Sequence, residues 1–243
     1  MVAVLVQSCA PVAPAVADPP YPGSMARQMV LERMSVVVVT SRSELSDISG
    51  STPIGKVEPA DEDGGSAAPL SPDGYFLTAD HVLAQMNGRN VFVIFHRRGG
   101  LVQSKARVVW RSKSSDLALL HVPENTPYYY RWTSPNQLLP EGTPLIHGGI
   151  STGMRSAVGK LSTAIQPDGW LTGSTRFKID IPLEPGDSGG PIVDGAGRLI
   201  GVNSAVEFLV PLETAFFVDS EGNRPNIRKI DDLIKRDRAR NGL

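Results

Sequence analysis

The chain has a single cysteine, Cys9, among its 243 residues. No intrachain disulfide can form, so a disulfide-stapled fold is excluded. No apolar run approaches the roughly 18 residues that a membrane-spanning helix requires. Charge of neither sign is in excess: 24 Lys and Arg stand against 25 Asp and Glu, a balance that gives a nucleic-acid partner no electrostatic footprint. Glycine (24) and proline (20) are plentiful, which suits many short strands joined by turns and argues against a helical bundle. At this length the chain can bury a real core as one substantial domain or two packed halves.

The most informative stretch is Gly186-Asp187-Ser188-Gly189-Gly190-Pro191. It sets a serine in a turn that only small residues can make. A serine hydroxyl is a poor nucleophile at neutral pH and needs a base to take its proton. It also needs donors for the oxyanion formed when a carbonyl is attacked.

Of the four histidines, only His81 sits in a suggestive frame. Pro72-Asp73-Gly74 reads as a tight turn and Tyr75-Phe76-Leu77-Thr78 as a strand, with the histidine where that strand ends. His96 reads as a solvated turn residue, His121 as half-buried strand, and His147 as loop or strand end. The candidate carboxylate is Asp116, which opens the apolar run Leu117-Ala118-Leu119-Leu120. There it can be held partly buried to orient an imidazole. Asp80 is a weaker choice, since neighbouring side chains on extended backbone point to opposite sides. Asp180 lies too near the serine turn and reads as structural.

The order His81, Asp116, Ser188, with these local frames, resembles the chymotrypsin-fold (trypsin-like) serine proteases. More narrowly it is similar to the bacterial HtrA (high-temperature requirement, or Deg) branch. Gly65-Ser66-Ala67-Ala68-Pro69-Leu70-Ser71 resembles that branch's glycine-serine entry strand, and Asp194–Ser204 its hairpin and substrate-pairing strand. The likeness spans roughly residues 30–220. It implies an all-β fold of two packed six-stranded antiparallel β-barrels with a C-terminal helix. It also implies a serine endopeptidase acting on protein or peptide substrates through an acyl-enzyme, with no cofactor and no metal. The oxyanion hole falls at Gly186-Asp187-Ser188, the N–H groups of Gly186 and Ser188 being the donors. Ser204, Ala205 and Val206 lie on the strand that pairs with extended substrate. Pro182, six positions before the serine, marks the base of the specificity pocket. Proline there, with Val206 near the wall, favours small or medium apolar residues before the scissile bond over Arg or Lys. A catalytically silent binding or chaperone-like module on the same scaffold, and an esterase, stay open.

Two departures stand out. Asp187 occupies a place where HtrA proteins usually carry asparagine; digestive proteases carry an aspartate there that pairs with a freed N-terminus. No activation-cleavage sequence is recognisable, so the partner of Asp187 is undetermined. Only residues 220–243 follow Asp219, too few for PDZ domains, and regulation by such modules on the same chain is not expected.

The chain divides into a signal- or lipoprotein-like segment and tether (1–24), a protease domain (25–220) and a C-terminal helix (221–243). Within the domain, barrel 1 covers about 30–122, a linker 123–140 and barrel 2 about 141–220. A short helix is expected over Met25–Met34, then strands at Ser35–Thr40, Tyr75–Thr78, Asn90–Phe95, Val102–Trp110 and Leu117–Val122. Residues 41–64 read as an irregular excursion. Six further strands are expected between Thr143 and Val218, and Pro225 opens the last helix on the apolar stripe Ile227, Ile230, Leu233, Ile234. At the N-terminus, Val6-Gln7-Ser8-Cys9 resembles a lipobox with Cys9 as the lipidated residue. Alternatively, Ala15-Val16-Ala17 fits a signal-peptidase site. Either makes the chain an exported bacterial protein, periplasmic, secreted or lipid-anchored, whereas a start at Met25 would leave it cytoplasmic. Homo-oligomerisation stays open.

Overall fold

A computed structural model describes residues 22–45, 63–151, 157–169, 173–209 and 216–243. Cys9, both export signals and residues 10–21 of the tether lie outside the described residues, as does most of the 41–64 excursion. Asp63 and Gly64, expected within that excursion, begin a strand instead.

The first elements among the described residues are helix α1 (Ser24–Glu32) and strand β1 (Ser35–Thr40). Then come β2 (Asp63–Pro69), β3 (Tyr75–Thr78), β4 (Asn90–Arg97), β5 (Gly100–Lys105), β6 (Arg107–Ser112) and β7 (Leu117–His121). These seven strands form one antiparallel sheet in the order β5-β4-β1-β2-β3-β7-β6. The second half supplies β8 (Pro144–His147), β9 (Ala157–Lys160), β10 (Ser174–Ile179), β11 (Pro191–Asp194), β12 (Leu199–Leu209) and β13 (Phe216–Pro225). They form a six-stranded sheet in the order β10-β13-β12-β11-β8-β9.

The expectation of two closed six-stranded barrels is corrected: the sheets are curled and open, with seven and six strands. The reason lies at Ala106. Val102–Trp110 reads as one strand, but the run breaks there into β5 and β6, and Ala106 N–H donates to Val91 O (2.8 Å). β5 and β6 become the two edges of the sheet. One residue joins them, so the sheet must curl, yet no ladder zips the edges together.

Burial explains the layering. β1 is buried at every position, as a Val-rich strand covered on both faces must be. One core fills each sheet, around Phe76, Leu120 and Val93 in the first and Leu145, Phe177 and Ile192 in the second. A third joins them: Tyr75, Leu77 and Leu119 from the first sheet meet Ile146, Leu199 and Val202 from the second, with Tyr130 of the linker among them. The aromatic linker is thus packing material. Helix α2 (Ile227–Asn241) adds Ile230 and Ile234 to this shared core, about 1.5–3 kcal/mol for each side chain fully buried. Its start differs from expectation by two residues. Pro225 ends β13, and Asn226 caps the helix by accepting from Lys229 N–H (3.1 Å).

Candidate active site

His81 lies on a single 3₁₀ turn, Asp80–Leu83, directly after β3. Asp116 lies in the turn before β7 at φ 48°, the only non-glycine residue at positive φ among the described residues. A left-handed aspartate is uncommon. Here it aims the carboxylate back at the imidazole. His81 Nδ1 lies 2.8 Å from Asp116 Oδ2 and 3.0 Å from Oδ1, and the His81 backbone N–H donates to Oδ1 (2.9 Å). Ser204 Oγ, from β12, donates to Oδ2. Burial alone would raise the Asp116 pKa; the bonds from His81 and Ser204 outweigh it and bring the group down to about 2. The hydrogen bond to Asp116 raises the His81 pKa, against burial and with help from the charges of Asp116 and Asp80. The imidazole is half exposed, at 47 %, whereas Asp116 is at 16 %: an oriented base open to solvent, backed by a screened acid.

Asp80, the weaker sequence candidate, is occupied elsewhere. Arg111 Nε donates to its Oδ1 at 2.6 Å and Nη2 to its backbone O at 3.2 Å. Asp180 accepts from Lys160 N–H and takes no part here.

The serine turn docks against the same place. Ser66 N–H, on β2, donates to Ser188 O (2.8 Å). Gly189, at φ 82°, packs so tightly against Ser66 O, Thr78 Oγ1 and Ala79 N that no Cβ would fit. Gly65 likewise has room for nothing more between Ser188 O and the Val82 side chain beside His81. The serine turn and the histidine segment, distant in the chain, therefore pack together between the two sheets, while no hydrogen bond joins Ser188 Oγ to His81 among the described residues.

The turn's polar groups can be accounted for in detail. Gly186 O accepts from Ser66 Oγ (2.8 Å), which in turn accepts from Ile150 N–H (2.8 Å). Asp187 N–H donates to Glu184 O, Gly189 N–H to Asn203 O and Gly190 N–H to Asp187 O (3.0, 2.8 and 2.9 Å). Among the described residues, the N–H groups of Gly186 and Ser188 are left out of this internal set. Asp187, grouped with them in the sequence reading, is not a free donor. Its N–H is bonded, and its fully buried carboxylate accepts from Ser151 N–H (3.0 Å) and Glu184 N–H (3.1 Å), with His147 Nε2 at 3.3 Å.

The other expected residues divide. Pro182 is exposed. The hydroxyl of Ser204 supports Asp116, a role its place on a substrate strand did not suggest. The backbone of Ala205 and Val206 lies in β12, paired with Glu221 and Ser220 of β13. β11 covers the opposite edge only as far as Val202, so beyond Asn203 no strand pairs with that edge among the described residues.

His96 is a correction: it is half-buried within β4, not in a solvated turn. His121 ends β7, buried against the Tyr75 ring at 4.6 Å between centroids. Ser66 and His147 were missed as functional residues. The glycine-serine frame could have flagged the first; no local pattern marks the second.

Two curled antiparallel sheets with an Asp-backed histidine and a glycine-turned serine at their junction define a chymotrypsin-type architecture. The trypsin-like peptidase domain model matches residues 65–202, more than half of the chain. The protein belongs to that family, and HtrA-type proteases are among the proteins it resembles. It is 26% identical over 174 residues to a probable periplasmic serine endoprotease, DegP-like, of Pseudomonas fluorescens, covering 65% of this chain and 34% of that one. It is 30% identical over 174 residues to the putative serine protease HhoB of Synechocystis, covering 65% and 40%. The solved HtrA-type protease AlgW with decapeptide superposes with a TM-score of 0.60 at 20% identity, covering 86% of this chain and 66% of AlgW. The chain thus spans roughly a third to two-fifths of the length of these two curated relatives. No helix among the described residues is long and apolar enough to cross a membrane.

Proposed function

We propose that this protein is a serine endopeptidase, with Ser188 as nucleophile, His81 as general base and acid, and Asp116 as the group that orients the imidazole. The observation that carries this reading is the contact of His81 Nδ1 with Asp116 at 2.8 Å. It fixes the Nδ1–H tautomer and leaves Nε2 as the basic nitrogen. Ser188 Oγ attacks the scissile carbonyl carbon as His81 Nε2 takes its proton. The oxyanion receives the N–H groups of Gly186 and Ser188. Collapse of the adduct breaks the C–N bond, with the imidazolium proton going to the leaving amine. Water then attacks the acyl-enzyme by the same proton path in reverse and restores Ser188.

The edge of β12 beyond Asn203, which no strand pairs with among the described residues, offers main-chain partners to an extended peptide. Small or medium apolar side chains are expected before the scissile bond, on the likeness of Pro182 to the family's pocket-base position, although Pro182 itself is exposed. Protein substrates and an exported location accord with the relatives' names, and lipidation at Cys9 is one route to that location. The test is labelling with a fluorophosphonate. The wild-type protein should be modified at Ser188, and Ser188→Ala should be silent both there and on fluorescein-labelled β-casein. Casein cleavage by Ser188→Ala at the wild-type rate would refute the assignment. Ester turnover without peptide turnover would make the protein an esterase.

A further inference from the structure

The buried carboxylate of Asp187 has a partner that the proposed chemistry does not use. His147, the last residue of β8, is wholly buried, as are Asp187 and Asn203. Its Nε2 stands 3.3 Å from Asp187 Oδ2, and its Nδ1 meets Asn203 Nδ2. The same Asn203 Nδ2 is 3.3 Å from Asp187 O, which can only accept. That atom is therefore the amide NH₂, donating to both. With the amide so placed, His147 Nδ1 offers a lone pair and its proton sits on Nε2, aimed at Asp187. Asn203 Oδ1 is then buried without a hydrogen-bond partner among the described residues. Around the carboxylate the space is closed: a Cβ at Gly149 would collide with Asp187 Oδ1 and Cα.

We propose that neutral His147 is a positioning residue for the oxyanion turn. It supplies a side-chain donor to the buried Asp187 carboxylate, and through Asp187 it holds the N–H groups of Gly186 and Ser188 free for the substrate oxyanion. The proposal rests on the reading of Ser188 as nucleophile. Where an aspartate at this place is satisfied by a freed chain terminus, the turn waits on cleavage. A donor built into β8 needs no such event, so the turn stands assembled in the intact chain. The two backbone donors, Ser151 and Glu184, belong to flanking loops. Among the described residues, His147 ties the carboxylate to a strand of the sheet. Asn203 completes the frame from β12, since its backbone N–H donates to Gly190 O and its O accepts from Gly189 N–H.

The experiment compares wild type, His147→Leu, His147→Gln, His147→Asn and His147→Leu/Asp187→Asn on labelled β-casein and with a fluorophosphonate. Thermal unfolding of each variant is followed alongside. Without its donor the turn misplaces the oxyanion N–H groups, so His147→Leu should lower kcat about 100-fold. KM should stay within about twofold, since binding along β12 is untouched. Glutamine, whose amide reaches the Nε2 position, should restore most of kcat. The double variant should do the same, because a neutral amide at 187 no longer needs a partner for a buried charge. Wild-type kcat in His147→Leu, or no recovery in the double variant, overturns the proposal. Should His147→Leu fail to fold, equal kcat in the Gln and Asn variants overturns it instead. Side-chain ¹⁵N shifts of His147 in the wild-type protein should report the Nε2–H tautomer, and the Nδ1–H form would contradict the arrangement. A wild-type protein that does not react at Ser188 would refute the nucleophile assignment alone, because those shifts test His147 independently of turnover.

Discussion

Ser204 of the second sheet donates its hydroxyl to Asp116 of the first, so the carboxylate behind the imidazole is closed by a residue from the opposite sheet. Asp116 also accepts from the His81 ring and backbone N–H. With these donors in place the charge is screened on its inner side and directed only at His81. Ser204→Ala removes one hydrogen bond to a charged group, about 1.5–3 kcal/mol. The expected consequence is a fall in kcat/KM of about tenfold or more, with Ser188 still labelled by fluorophosphonate, only more slowly. Unchanged steady-state kinetics would show that the His81 bonds alone suffice.

The same pair sets the pH behaviour. Asp116 raises the His81 pKa above its usual 6.5, and a protonated imidazole cannot accept the serine proton. The acid limb of kcat/KM should therefore fall above pH 6.5, and Asp116→Asn should move it down while lowering kcat by about 10⁴-fold through the wrong tautomer. Stability carries two signs. Asp116, brought to about 2 from 3.8, contributes stability that is full above its unfolded value and is lost as pH falls from about 4 to about 2. His81, raised in the folded protein, contributes below its unfolded pKa and loses that contribution as pH rises through the folded one. Unfolding midpoints measured from pH 2 to 9 should resolve both limbs, and their absence in His81→Ala/Asp116→Ala would assign them.

Ser66 ties the serine turn to the first sheet by two bonds, its N–H to Ser188 O and its hydroxyl to Gly186 O. The hydroxyl also accepts from Ile150 N–H. Ser66→Ala would leave a buried N–H without a partner, a cost of about 1–3 kcal/mol, and would free Gly186 O to rotate. Activity should drop further than stability does. A variant losing only thermal stability, with wild-type kcat, would show that the backbone bond is enough to hold the turn.

How much of this was readable beforehand follows from the range of each interaction. β3 was legible to the residue because an apolar run is bracketed by a Pro-Asp-Gly turn and the histidine. β1 was legible because five of its six residues are uninterrupted apolar or β-branched neighbours of the same kind. The break at Ala106 was not, since neither glycine nor proline punctuates Val102–Trp110 and both halves have strand-forming composition. His81, Asp116 and Ser188 each sit in a local frame, so they could be picked out separately. Their supports act at long range: Ser66 reaches Gly186 across 120 positions and Ser204 reaches Asp116 across 88. The partner of Asp187 was invisible for the same reason. His147 lies 40 positions before it on another strand, and a histidine next to two glycines reads equally as loop or strand end, with nothing local to say what it touches.

Helix α2 yields the last prediction. Asp237, nearly buried at 8 %, accepts from both terminal nitrogens of Arg107 (2.8 and 2.6 Å) and from Tyr75 Oη (2.8 Å). Arg238, the next residue, makes a two-bond pair with Asp73 at 2.7 Å. All three partners belong to the first half of the chain, while the helix follows directly on β13 of the second sheet. Its apolar face inserts Ile230 and Ile234 into the core that both sheets share. The helix therefore acts as a strap across the sheet junction, and its polar clamp fixes the register of that strap. Asp237→Ala would strip a buried Tyr75 hydroxyl of its acceptor and uncouple Arg107, a guanidinium 44 % exposed that can return to water. The cost should therefore be about 2–3 kcal/mol, below the 3–5 kcal/mol of breaking a fully buried pair. Asp237→Asn keeps an acceptor for Tyr75 and should recover part of it. Because the strap sets how the sheets meet, casein turnover at a temperature well below unfolding should fall along with stability in Asp237→Ala. Turnover that stayed at the wild-type value while the unfolding midpoint dropped would mean that the shared apolar core alone holds the sheets in register.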